Sequence, residues 1–291
     1  MMEEHSTFNI QHSTPKCSGG ALPLEVERSM LNVECSFLLL NSGPGNPAFN
    51  MALDEALLEA AARLGSPVLR FYGWNEPAAT FGYFQKFAEV ERATLLRPLI
   101  RRPTGGGLVP HDADWTYSLV FPPDHEWHSL KAEESYRRVH EWIRSAFARL
   151  QVATELATSS KKSPSTVRSS RREEAHAEKP EPSQSLLTSV ATIVLPGQCF
   201  VGHEKSDLLW QGRKIAGAAQ RRNKLGLLIQ GSVQPPPISL ARADWESAMR
   251  DVAVQKFGVA WNDFSTDTKL RARVNELVRQ KYSQETCNRK R

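Results

Sequence analysis

The chain has 291 residues, 40% of them hydrophobic and 24% charged, with a formal net charge of +5. That length can bury a real core, in one large domain or two ordinary ones, and the composition excludes a fibrous or wholly disordered chain. No stretch approaches the roughly 20 apolar residues that cross a bilayer, and Phe37-Leu38-Leu39-Leu40 is too short for a signal-peptide core, so a cytoplasmic protein without a membrane partner is expected.

Residues 1–33 mix polar, Gly and Pro positions without sustained periodicity, and disorder is expected there. Residues 34–291 then read as one domain. Asn46 suits a helix N-cap and Pro47 the first helical position; Phe49, Leu53, Leu57, Ala60 and Leu64 form one stripe, and Gly65 can close the end. Val68–Tyr72 reads as a strand and Thr80–Tyr83 as a second, short one. Trp115, Tyr117, Leu119 and Phe121 alternate with Thr116, Ser118 and Val120, which predicts a half-buried strand ended by Pro122-Pro123. A helix follows on Tyr136, Val139, Ile143, Phe147 and Leu150.

Between about 154 and 185 aromatic residues vanish and Ser, Lys, Arg, Glu and Pro crowd in, which predicts a flexible insert, with order resuming near Val190–Val194. Leu208-Leu209-Trp210, a turn at Gln211-Gly212-Arg213, Lys214–Gly217 and Leu227–Ile229 read as strands. Pro235-Pro236-Pro237 breaks the sheet. Two helices follow, one on Trp245, Met249, Val252 and Phe257, the other on Leu270, Val274, Leu277 and Val278. The connections are too short for repeated crossover helices, so the expected fold is α+β, with a mainly antiparallel or mixed central sheet flanked by helices.

Two stretches carry chemistry. In Arg101-Arg102-Pro103-Thr104-Gly105-Gly106-Gly107-Leu108-Val109-Pro110-His111-Asp112, the three glycines cost backbone entropy, and they let a main chain approach a ligand closely. The preceding arginines suit a carboxylate or phosphate. A glycine turn with solvated arginines is an equally good reading, and a lone His111 is more often structural than proton-carrying. The second stretch is Cys199-Phe200 followed by Lys214-Ile215-Ala216-Gly217-Ala218-Ala219-Gln220-Arg221. A cysteine beside a hairpin is usually an inert thiol, and a lysine in a turn is usually solvated. Together they can act: a thiolate can take an acyl group from a thioester in a nearly isoenergetic exchange without ATP. A nearby ammonium lowers the thiol pKa and faces the oxyanion. Gly217 and Ala218 keep the space beside the lysine small-walled. The other cysteines, Cys17, Cys35 and Cys287, show neither pairing nor metal-ligand spacing, so no metal site is expected.

Asn50–Glu55, Arg70–Trp74, Thr80–Gln85, the Arg-Arg-x-x-Gly-Gly-Gly-x-Val-x-His-Asp run and Lys214–Arg221 resemble, in order, the lipoate–protein ligase and octanoyltransferase family, which shares a catalytic domain with biotin–protein ligases. The resemblance spans about Leu38 to Asn288. Cys199-Phe200 before the lysine motif is most similar to the cysteine-dependent octanoyltransferase branch, although Asp207 stands where that branch tends to have glutamate and Ala218 where it often has serine.

The resemblance implies an acyltransferase without cofactors, with Cys199 as nucleophile, Lys214 positioning the carbonyl, and Arg101, Arg102, Gly105, Gly106, Gly107, His111, Gly217 and Ala218 shaping the acyl pocket. The donor would be an acyl carrier protein thioester. The acceptor would be a lysine of a lipoyl-domain protein, either a glycine cleavage H protein or a 2-oxoacid dehydrogenase E2. The alternatives are an ATP- and Mg²⁺-dependent lipoate–protein ligase, for which Cys199 is dispensable, and a non-catalytic binder of lipoyl domains or acyl chains. No separate helix-turn-helix segment is seen, so nucleic acid is not an expected partner.

Overall fold

Asn46 caps the first helix as its position predicts, its side-chain oxygen accepting from the Phe49 N–H at 2.8 Å. Pro47 opens that helix and Gly65 closes it with a left-handed backbone, φ 68°. The structure, a computed structural model, describes residues 35–160, 200 and 202–290. In chain order come β1 (Cys35–Gly45), α1 (Pro47–Leu64), β2 (Val68–Trp74), β3 (Ala78–Phe81), α2 (Phe87–Ala93), β4 (Leu99–Arg101), β5 (Val109–His111) and β6 (Trp115–Phe121). They are followed by α3 (Glu126–Ser129), α4 (Ala132–Arg149), β7 (Glu155–Leu156), β8 (Leu208–Trp210), β9 (Arg213–Asn223) and β10 (Gly226–Val233). The chain then forms α5 (Arg242–Phe257), β11 (Val259–Asp263), α6 (Thr268–Leu277), a π-turn (Val278–Tyr282) and α7 (Glu285–Asn288).

Eight strands make one sheet in the order β11-β1-β2-β6-β10-β9-β8-β7, and three make a smaller one, β4-β3-β5. In the large sheet β1 runs parallel to β2 and β11, and every other pairing is antiparallel. This is the mixed sheet expected from the short connections.

The alternation along β6 predicts a half-buried strand, yet all seven residues are buried. The reason is that helices cover both faces. Trp115, Tyr117, Leu119 and Phe121 pack with Trp142 and Phe147 of α4 and Trp245 of α5. Val120 packs on the opposite face with Leu53 and Leu57 of α1 and Leu270 of α6. Thr116 and Ser118, on that second face, meet a buried polar network instead of water. None of the helices among the described residues is long and apolar enough to cross a membrane.

The predicted insert begins inside an ordered segment, since Glu155–Leu156 pair with Leu208–Leu209. The remainder of that insert from Lys161, the strand expected at Val190–Val194, Cys199, and residues 1–33 lie outside the described residues.

One buried group on α4 makes stability depend on pH. His140 is 1% exposed, and burial pushes its pKa down to about 4, the charge of Asp207 opposing the shift and that of Lys214 adding to it. An unfolded histidine titrates near 6.5. As pH falls from about 6.5 to 4, the unfolded chain therefore binds a proton that the native chain refuses, and stability is lost in that window. At ~1.4 kcal/mol per pH unit the loss is about 3 kcal/mol. Urea unfolding at pH 7.5 and pH 4.5 is expected to show a drop in wild type that is smaller by that amount in His140→Leu.

Candidate active site

The glycine run connects β4 to β5, and Arg102 clamps it from inside. Its Nε and Nη2 donate to the Gly105 carbonyl at 3.0 and 2.5 Å, and Nη2 also reaches the Gly107 carbonyl at 2.7 Å. Its Nη1 donates to the Thr80 carbonyl at 3.2 Å, tying the loop to β3. Gly106 has φ +82°, a region costly for other residues, and a Cβ there would stand 2.7 Å from Arg102 Nη2. At Gly82, just beyond β3, a Cβ would lie 1.9 Å from the Gly106 carbonyl oxygen. Two glycines thus allow the loop to close over the end of β3.

Beneath this loop, on the face of the sheet that carries Thr116, lies a cleft with about 440 Å³ of empty space, part of it open to solvent. Gly217, Ala218 and Ala219 of β9 and Gly231 of β10 supply its small-walled floor, Trp74 and His111 one end, and Phe200 another part of the wall. A Cβ at Gly231 would stand 2.1 Å from the Tyr117 ring, so the cross-strand tyrosine occupies the space a side chain would need. Among the sequence-predicted residues, Arg102, Gly106, His111, Gly217 and Ala218 line this cleft together. Gly105 and Gly107 contribute the carbonyls that Arg102 holds.

Arg101 points elsewhere. Its Nη1 donates to the Tyr83 and Gln85 carbonyls at 2.9 and 2.7 Å, and its Nη2 to the Asn288 carbonyl at 3.0 Å. It ties β4 to the C-terminal α7 and lines a neighbouring cleft.

His111 is held at both ring nitrogens, Nδ1 by Asp114 Oδ2 at 2.9 Å and Nε2 by Thr80 Oγ1 at 2.8 Å. It stacks on Trp74 with ring centres 3.9 Å apart, and Trp74 Nε1 donates to Thr116 Oγ1 at 2.7 Å. The same Asp114 oxygen accepts from Thr116 at 3.0 Å and Ser232 at 2.6 Å. Burial would raise the Asp114 pKa, but the charge of His111 and the hydrogen bonds from His111, Ser232 and Thr116 outweigh it and hold the carboxyl below its ordinary value. His111 is therefore a fixed wall of the cleft.

A second buried carboxylate anchors the floor. Asp54 of α1 accepts from Arg70 Nη1, Ser118 Oγ and Gln230 Nε2, each at 2.7 Å, and from the Tyr72 hydroxyl at 3.0 Å. Gln230 Oε1 in turn accepts from Thr104 Oγ1 at 2.7 Å, which links α1, β2, β6 and β10 to the glycine loop. Burial, and then the negative charge of Asp54, push the Tyr72 hydroxyl pKa well above its ordinary value.

Lys214 stands near the start of β9, after a turn in which Gln211 and Gly212 take φ 49° and 72°. Its side chain is 7% exposed, and Nζ lies 2.7 Å from Asp207 Oδ2. That oxygen also accepts from the Glu204 N–H at 2.7 Å, so the turn preceding β8 fixes the carboxylate and the carboxylate fixes the ammonium. Nζ lies 5.5 Å from the centre of the Phe200 ring. Phe200 lines the cleft, and Cys199 is its neighbour in sequence.

The sequence reading missed Asp54 and Asp114, the two carboxylates on which the cleft is built. The available signal was a charge inside an apolar helix for Asp54, matched by Arg70 inside a strand of Val, Leu, Phe and Tyr.

The chain is similar to known proteins along most of its described length. It is 35% identical over 199 residues to the octanoyltransferase LipM of Halalkalibacterium halodurans, covering 67% of this chain and 64% of that protein. It is 34% identical over 201 residues to the octanoyltransferase LipM of Bacillus subtilis, covering 67% and 63%. The matched region thus spans somewhat less than two thirds of these relatives. A T. acidophilum protein with bound lipoic acid superposes with a TM-score of 0.64 at 20% identity, over 89% of this chain and all of that one. Lipoate-protein ligase A bound with ATP gives 0.63 at 20% identity, over 88% and 98%. These structures share the fold. The family model of the lipoyl protein ligase A/B catalytic domain matches residues 46–234, and the chain belongs to that family.

Proposed function

We propose that the chain is an octanoyltransferase of protein lipoylation, in which Cys199 takes the acyl group from an acyl carrier protein thioester. The acyl group then passes to a lysine of a lipoyl-domain protein, a glycine cleavage H protein or a 2-oxoacid dehydrogenase E2. The observation that carries this reading is the course of the cleft. It crosses the sheet from Trp74 on β2, over β6 and β10, to β9 and Phe200. Three interstrand steps of ~4.8 Å make about 14 Å, which accommodates an eight-carbon chain with its carbonyl. The tail would lie at the Trp74–His111 wall and the carbonyl near Phe200, beside Lys214.

In the first half-reaction the Cys199 thiolate attacks the donor carbonyl, a new S–C bond forms, and the donor sulfur leaves as a thiolate that takes up a proton. The exchange is nearly isoenergetic, so ATP has no part in it. The Lys214 ammonium, held in place by Asp207, favours the Cys199 thiolate and faces the developing oxyanion. In the second half-reaction the neutral acceptor amine attacks the acyl-cysteine. An amide N–C bond forms, the S–C bond breaks, and the amine proton balances the returning thiolate.

The testing experiment is octanoyl transfer from carrier protein to lipoyl domain without ATP. Wild type is expected to transfer and Cys199→Ser to lose transfer. Transfer by Cys199→Ser from free acid with ATP and Mg²⁺ would instead assign the chain to ligation. Tight lipoyl-domain binding without turnover would assign it to the non-catalytic reading. The glycine loop offers a second check. Gly82→Ala places a methyl group where the Gly106 carbonyl now sits. The displaced loop is expected to lower kcat/KM on the order of 10²-fold, with the far-UV circular dichroism unchanged.

A further inference from the structure

Beyond the Trp74 end of the acyl cleft lies a second cavity, with about 660 Å³ of empty space, part of it open to solvent. Pro44, Gly73, Glu76, Pro77 and Ala113 are among the residues that line it. Among the described residues, the linings of the two spaces have two members in common, Trp74 and His111. Their rings are stacked with centres 3.9 Å apart, so this pair is the partition between the spaces.

The two halves of the partition are held differently. His111 is hydrogen-bonded at both ring nitrogens, and its partner Asp114 is the carboxylate that Thr116 and Ser232 also grip. Replacing it would take a partner from a buried carboxylate. Trp74 is the last residue of β2, and its indole donates from Nε1 to Thr116 Oγ1. Otherwise it packs, on His111 and, with ring centres 5.8 Å apart, on Tyr72. An acyl chain whose far end meets this stack can lengthen only by displacing a packed ring, and overfilling a packed site is costly.

We infer that the Trp74 indole sets the length of fatty acyl chain the cleft accepts, by closing it off from the second cavity. This rests on the proposed octanoyl transfer, and it names the side chain that selects the acyl group of that reaction. Asp112, Asp114 and Glu76 are on the lining of the second cavity, so an apolar chain gains little by entering it. Removing the indole therefore ends the refusal of longer chains without creating a tight site for them.

The test uses the full chain and two free acids, octanoate and dodecanoate, by titration calorimetry below their micelle concentrations. Wild type is expected to bind octanoate at least tenfold more tightly. The additional methylenes would favour dodecanoate in an open-ended cleft, so that order itself requires a wall. In Trp74→Ala the ratio is expected to fall below threefold or to invert. Ala113 is exposed on the lining of the second cavity, and Trp74→Ala/Ala113→Trp refills that space. The double variant is expected to regain the preference for octanoate, which a general loosening of the fold would not restore.

Dodecanoate binding to wild type as tightly as octanoate would overturn the inference. So would a tenfold preference surviving in Trp74→Ala with its far-UV circular dichroism unchanged, or a double variant that binds the acids as Trp74→Ala does. Trp74→Leu, which keeps an apolar side chain, takes the place of the alanine variant if that one unfolds. Free acids need neither Cys199 nor a carrier protein, so a failure of acyl transfer and a failure of length selection are read separately.

Discussion

Lys214→Met is expected to lower kcat/KM for acyl transfer by roughly 10²–10³-fold, the usual cost of removing one donor from a developing oxyanion. Two effects act together. The oxyanion loses its ammonium, and the Cys199 thiol loses the positive charge that favours its ionised form. The acid limb of the pH–kcat/KM profile is therefore expected to move to higher pH, because a thiol without a cation beside it ionises later. The same substitution leaves Asp207, 6% exposed, without its 2.7 Å ion-pair partner. Stranding one member of a buried pair is destabilising. Lys214→Met/Asp207→Asn removes both charges, so it should recover stability relative to the single variant while activity stays low. Recovery of Tm without recovery of turnover separates the chemical role of the lysine from its structural one. An unshifted pH profile with robust turnover would remove Lys214 from the reaction.

Asp54→Leu is expected to cost about 3–5 kcal/mol of stability, because it strands the fully buried Arg70 guanidinium. It also deprives the Tyr72 hydroxyl, Ser118 Oγ and Gln230 Nε2 of their acceptor. Gln230 holds Thr104, so the glycine loop should loosen as well, and activity should fall before the protein unfolds. Asp54→Asn keeps an acceptor oxygen and loses the charge, and its cost should lie between wild type and Asp54→Leu. Urea titration reads the three stabilities directly. A loss below about 1 kcal/mol in Asp54→Leu, the scale of an exposed ion pair, would show that the carboxylate does not anchor the sheet to the loop.

Much of the fold follows from local signals. The Asn46–Pro47–Gly65 frame fixes α1 at both ends, because each of those residues has a backbone role that few others fill. β1 gave no comparable signal: its apolar Phe37–Leu40 run passes into Asn41-Ser42-Gly43-Pro44-Gly45, which reads as a turn. It is nonetheless extended, because β2 on one side and β11 on the other satisfy its backbone. β11 was equally hidden, since only Val259 of its five residues is buried.

At the site, the glycine run and the lysine motif marked two walls of the cleft, since a run of Gly and Ala next to a lysine stands out in any strand. Asp54 and Asp114 did not stand out. Each is meaningful only beside partners distant in sequence, Arg70 and Gln230 for the first, Ser232 for the second. The division of labour between Arg101 and Arg102 was likewise unreadable, because adjacent strand-end residues point in opposite directions.

The most direct test is intact-mass and peptide mapping after brief exposure of the full chain to octanoyl carrier protein, without acceptor. A single octanoyl group on the Cys199 peptide, lost on adding lipoyl domain and absent from Cys199→Ser, is the predicted result. A wild-type chain that transfers octanoyl groups to the lipoyl domain while its own mass never changes would contradict it.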